Sequence, residues 1–84
     1  MFLGEYLTES NTDLRKILAR NVRALRLQKE ISQEQLANIC KLHRTYVGSV
    51  ERMERNVTIG TLIKFANALN VTVIDLLTKR ENVK

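Results

Sequence analysis

The chain of 84 residues contains no proline and no tryptophan, and only three glycines. A sandwich or barrel of short strands needs turn residues about every 8–12 positions, and this composition does not supply them. Helix is what remains. One cysteine (Cys40) cannot close an internal disulfide, and with one histidine (His43) it cannot by itself build a metal site. A disulfide-stapled secreted domain and a zinc module are therefore not expected. The N-terminal run MFLGEYLTES has no basic region and only a broken apolar stretch, unlike a signal peptide. No apolar run approaches the roughly 18 residues of a membrane span. A cytoplasmic protein that does not engage membranes is the expectation. Neither a Ser-His-Asp arrangement nor a phosphate loop is present, so no enzyme activity and no cofactor are expected.

What is present is a normal apolar fraction, 44%, in a length that suits one domain spanning residues 1–84. Basic residues outnumber acidic ones by 14 to 9, a net charge of +5 that points to an anionic partner. The surplus is uneven. Residues 1–12 carry two acids and no base, whereas residues 13–30 hold six basic and two acidic side chains, +4. Residues 41–56 add +2 from four basic and two acidic side chains.

Capping signals and apolar periodicity divide the chain into five helices. Ser10 to Asp13 has the capping-box spacing, and Leu14, Ile17, Leu18, Val22 and Leu25 then form one helical face to about Lys29. A second box, Ser32 to Gln35, opens a helix with Leu36, Ala37, Ile39 and Cys40 on its apolar side. A third helix is expected from Arg44 to Arg52, with Val47 and Val50 facing inward. Thr58 can cap a fourth, bearing Ile59, Leu62, Phe65, Ala66 and Leu69. Thr72 to Asp75 opens a fifth through Leu76 and Leu77. Residues 1–12 read as an arm in which Phe2, Leu3, Tyr6 and Leu7 fall at helical spacing, and residues 79–84 as a flexible tail.

The informative unit is residues 32–52: two short helices joined by a three-residue turn, the helix-turn-helix pattern. Leu42 plugs the turn, and the inward valines leave Arg44, Thr45, Gly48, Ser49 and Arg52 to point outward. Long basic and short hydroxyl side chains on one helical face suit a DNA major groove. Spacing alone leaves them equally readable as a solvated face. Arg15, Lys16 and Arg20 read as solvated charges.

Taken together, NVRALR at 21–26, SQEQLA at 32–37, TYVGSVE at 45–51, ERN at 54–56 and TLIKFANALNV at 61–71 resemble the Cro and phage-repressor (XRE-type) helix-turn-helix DNA-binding proteins. Within that family, HRTYVGSVERMERNVTI is most similar to the controller proteins of restriction-modification systems. The resemblance implies a compact, all-α, lambda-repressor-like domain and a transcriptional regulator that binds a pseudo-palindromic operator as a homodimer. It further implies double-stranded DNA as partner, with RNA polymerase a candidate second one. By position it implies that Gln33 meets a phosphate, that Arg44, Thr45 and Ser49 meet base edges, and that Tyr46 lies close to the DNA. Arg52, Arg55 and Asn56 would reach phosphates or the spacer between half-sites. Arg26 and Glu51 would form an ion pair tying the first helix to the third. The alternative is a phage or chromosomal repressor, or an antitoxin-like protein of this fold acting mainly through protein–protein contact.

Two features depart from the resemblance or add to it. Many family members carry glycine after the first helix, in the turn and after the recognition helix, where this chain has Glu30, Lys41 and Met53. Left-handed backbone at those positions would cost roughly 1 kcal/mol each relative to glycine. His43 stands where Ser, Asp or Asn usually caps the recognition helix. Finally, Ile63, Val71, Val73, Ile74 and Leu77 exceed what so small a core can bury, so some of them are expected to face a second copy.

Overall fold

The computed structural model describes residues 11–79, and its helices begin where the caps stand. They are α1 (Asn11–Gln28), α2 (Gln33–Cys40), α3 (Arg44–Glu51), α4 (Ile59–Leu69) and α5 (Val73–Leu77). Ser32 and Thr72 form complete capping boxes with Gln35 and Asp75. Thr58 accepts from the Thr61 amide, and the His43 ring nitrogen accepts from the Thr45 amide. Caps of this kind stabilise a helix by about 1 kcal/mol each. That matters for helices as short as eight residues, which do not persist alone. The expected cap at Ser10, residues 1–10 of the expected arm and residues 80–84 of the tail lie outside the described residues; Asn11 and Thr12, expected in the arm, belong to α1 instead.

The helices end as consistently as they begin. Glu30, Lys41, Met53 and Asn70 have φ of 59°, 59°, 64° and 60°, the left-handed region. At each the following amide reaches back five residues: Ile31 to Arg26, Leu42 to Ala37, Glu54 to Ser49 and Val71 to Ala66, at 2.8–3.2 Å. This is the Schellman closure, normally built on glycine. Three of the four residues are those singled out in the sequence; the loops keep the geometry and accept the strain.

One core joins all five helices. Leu18, Val22, Leu25, Leu36, Val47, Val50, Phe65, Leu69 and Leu76 are buried in it, and Ile31, Leu42, Tyr46 and Val71 pack against it. Helix α3 lies between α1 and α2, and α5 closes the far side against α1 and α4. Three apolar expectations fail; one is Ile59, 74% exposed at the start of α4. Ile39 is 56% exposed, because Leu36, Ala37 and Cys40 define the buried side of α2 and Ile39 is turned away from their centre at ~100° per residue. Leu14 also stands exposed at the start of α1. Asn21, by contrast, is fully buried: its Nδ2 donates to the carbonyls of Asp75, Leu76 and Thr78 at 3.3, 2.8 and 2.9 Å. The carbonyls that α5 leaves open at its end are thus satisfied by a side chain of α1. Among the described residues no helix is long and apolar enough to cross a membrane.

Candidate nucleic-acid interface

Helix α3 is fixed from beneath by one carboxylate. Glu51 receives Arg26 Nε at 2.7 Å and Arg26 Nη2 at 3.0 Å, a two-pronged pair almost closed to solvent. Arg26 gives its remaining nitrogen to the Ile31 carbonyl at 2.9 Å, so each of the three guanidinium nitrogens has an acceptor. The hydrogen bond to Glu51 pushes the Arg26 pKa above its ordinary value despite the opposing effect of burial. The pair expected between the first and third helices is present. A third partner was not foreseen: Gln33 Nε2 donates to Glu51 Oε1 at 3.0 Å. The start of α2 and the end of α3 are therefore locked together, which sets the angle between the two helices.

The face above this lock carries the sequence-selected residues. Arg44 and Thr45 are exposed on the first turn of α3 and Arg52 at its C-cap. With Gln33, Glu34 and Gly48 they line a cleft of about 280 Å³ between α2 and α3. The absence of a Cβ at Gly48 has a local use. A Cβ there would meet Arg52 Nη1 at 3.1 Å and Gln33 Oε1 at 3.3 Å, so glycine lets both long side chains cross the helix closely.

Gly48 and Ser49 do not project outward as the helical spacing suggested. Both are buried, and Ser49 is 9% exposed. The Ser49 hydroxyl donates to the Thr45 carbonyl at 2.9 Å, so its donor is turned along its own helix. His43 caps α3 through Nδ1, which also lies 2.8 Å from the Thr45 hydroxyl.

The turn after α3 is rich in charge. Arg52 Nε and Nη2 both donate to the Glu54 carboxylate at 3.1 Å. That hydrogen bond, chiefly, holds the Glu54 carboxyl below its ordinary range. Arg55 lies over the ring of Tyr46, 4.9 Å from its centroid, and Asn56 is exposed beside it. Arg15 is not the solvated charge expected of it. It is half-buried and donates to the Met53 carbonyl at 3.4 Å, propping the turn from α1.

Of the eight expected site residues, Gln33, Arg44, Thr45 and Arg52 share one cleft, Tyr46 and Arg55 pair with each other, Asn56 stands nearby and Ser49 is withdrawn. What the sequence reading missed is the internal tethering of Gln33, Arg52 and Arg55. Charge spacing carries a weak signal for Arg52 with Glu54 and none for the other two.

The chain is similar to known proteins in sequence and fold. Residues 22–76 match the family described as helix-turn-helix. The chain is 60% identical over 68 residues to the control protein C.SmaI of Serratia marcescens, covering 81% of this chain and 81% of that one. It is 44% identical over 66 residues to the control protein C.BamHI of Bacillus amyloliquefaciens, covering 77% of this chain and 82% of that one. Among solved structures it is similar to the restriction-modification controller protein C.AhdI from Aeromonas hydrophila, with a TM-score of 0.71 and 40% identity over 74% of this chain and 94% of that one.

Proposed function

The chain belongs to the helix-turn-helix family of DNA-binding regulators, as a restriction-modification controller protein and not an enzyme, and we propose that it acts as a homodimer on a pseudo-palindromic operator. Helix α3 enters the major groove with Arg44 and Thr45 on base edges, Arg through its paired donors and Thr through hydroxyl and methyl. Gln33, Arg52, Arg55 and Asn56 meet the flanking phosphates. Gln33 remains competent for this, because its amide nitrogen carries two hydrogens and Glu51 accepts only one. Ser49 can donate to a base edge only if its hydroxyl leaves the Thr45 carbonyl.

One observation supports the reading above the others. Arg44 and Thr45 are exposed on a helix whose own position is fixed by the buried Arg26–Glu51–Gln33 network. A reading head held this rigidly contacts base edges without first having to be ordered. Dimerisation is supported by Ile63 and Ile74, which are 47% and 76% exposed on α4 and α5. A two-fold contact through that patch would hide them and set two α3 helices about 34 Å apart, one turn of DNA. Bound beside a promoter in the bacterial cytoplasm, such a dimer would act by occupancy, blocking RNA polymerase or touching it.

The test begins with selection of a binding site from a random duplex pool. Arg44→Ala should weaken binding to that site by about 1–3 kcal/mol and relax one base position. Affinity should also fall steeply with salt. Equal affinity of parent and variant would remove α3 as the recognition element. Sedimentation that finds only monomers on the operator would remove the dimer.

A further inference from the structure

Two arginines in the turn after α3 are held in chemically opposite ways. Arg52 is bound in the plane of its guanidinium, with Nε and Nη2 both given to Glu54. Those two N–H bonds reach a phosphate only by leaving the carboxylate, whereas Nη1 and the second Nη2 hydrogen are not given to it. Arg55 is held over the Tyr46 ring, since a cation there is attracted to the ring's negative centre. That attraction needs no hydrogen bond from the guanidinium, so its N–H donors are left for an anion or a base.

The ring itself is firmly placed. Tyr46 sits in the first turn of α3, half-buried, packed against the core. The backbone bearing Arg55 lacks such support, for it lies past the left-handed Met53 and next to the exposed Glu54. We propose that Tyr46 is a positioning residue: its ring holds the Arg55 guanidinium in place so that its donors arrive at DNA already ordered. This rests on the reading that the α3 face binds DNA, and it gives Tyr46 a role through its ring, not through a hydroxyl contact.

Immobilising a free arginine on binding costs entropy equivalent to roughly a three- to tenfold loss of affinity. Losing the ring should have about that effect, and only while Arg55 is present.

The experiment compares parent, Tyr46→Phe, Tyr46→Leu, Arg55→Ala and the double variant Tyr46→Leu with Arg55→Ala. Affinity for the selected operator duplex is measured by fluorescence anisotropy across a salt series. Tyr46→Leu should lose about three- to tenfold, and the double variant should bind no worse than Arg55→Ala alone. The salt slope of Tyr46→Leu should shift towards that of Arg55→Ala, a change that altered packing alone would not produce. Tyr46→Phe, which keeps the ring, should rescue the slope.

The proposal is overturned if Tyr46→Phe loses as much as Tyr46→Leu, since the hydroxyl would then be the contact. It is equally overturned if Tyr46→Leu weakens the Arg55→Ala protein further. A proton NMR spectrum of the free parent guards against a variant that fails to fold. Ring-current shifts on the Arg55 side chain are expected, and their absence overturns the stacking directly. If Arg44→Ala and Arg55→Ala both bind as the parent does while those shifts are present, it is the DNA reading that fails, and the positioning role with it.

Discussion

Four helices of the described region end on left-handed residues, and the turn after α3 is unlike the other three. After α1, α2 and α4 the next residue is Ile31, Leu42 or Val71, each packed on the core. After α3 it is Glu54, exposed and paired with Arg52. The backbone closure is the same in all four, so the difference is one of side chains alone. Three turns are pinned from inside by apolar contact, the usual companion of this closure. The fourth forgoes that anchor and gives its surface to charge. Its compensation is Glu51, one turn earlier, whose buried pair with Arg26 holds the end of α3 in place.

The largest effect should come from removing that substitute anchor. Glu51→Ala leaves Arg26 buried without its acceptor and frees Gln33, and should destabilise the fold by about 3–5 kcal/mol. Urea unfolding measures it. A loss near zero would mean that α3 is held by its valines alone. A smaller effect separates the two kinds of turn. Leu42→Ala should cost about 2 kcal/mol through lost packing, whereas Glu54→Ala should leave the unfolding midpoint where it was. Equal losses would erase the distinction.

The smallest effect concerns the shared geometry. Lys41→Gly and Met53→Gly each relieve a left-handed residue and should raise stability by about 0.5–1 kcal/mol, by similar amounts because φ is 59° in one and 64° in the other. Their consequences for DNA should diverge. Only the glycine at 53 loosens the turn that carries Arg52 and Arg55, so only that variant should bind the operator less tightly. Loss of binding in both, or in neither, would show that the turn after α3 has no special part.

Much of this fold was legible in advance, and for local reasons. Ser32 with Gln35, Thr58, and Thr72 with Asp75 are caps because a short polar side chain can reach its own helix's first amides. The strained positions at Glu30, Lys41 and Met53 followed from the family resemblance, as did the pairing of Arg26 with Glu51. Asn70 adopts the same left-handed backbone, and its position after an apolar helix was a signal available and unused. The candidate site was legible as a set of residue types on one helix but not as an arrangement. Helical spacing said that Ser49 faces outward; it could not say that the hydroxyl turns back to Thr45. Nor could it say that Gln33 is tied to a carboxylate 18 residues away.

The scarcity of glycine and absence of proline, the caps and the apolar spacing determined that this chain is a short-helix bundle with one exposed basic helix face. Those signals act within a turn or two of helix, where chain connectivity already fixes who meets whom. Tertiary structure alone decided which polar groups are used internally. Asn21 closes the end of α5, Glu51 gathers Arg26 and Gln33, and Tyr46 lies under Arg55. Each of those contacts depends on the crossing of helices that packing sets, and hydrogen bonds and ring contacts tolerate errors of only about an ångström.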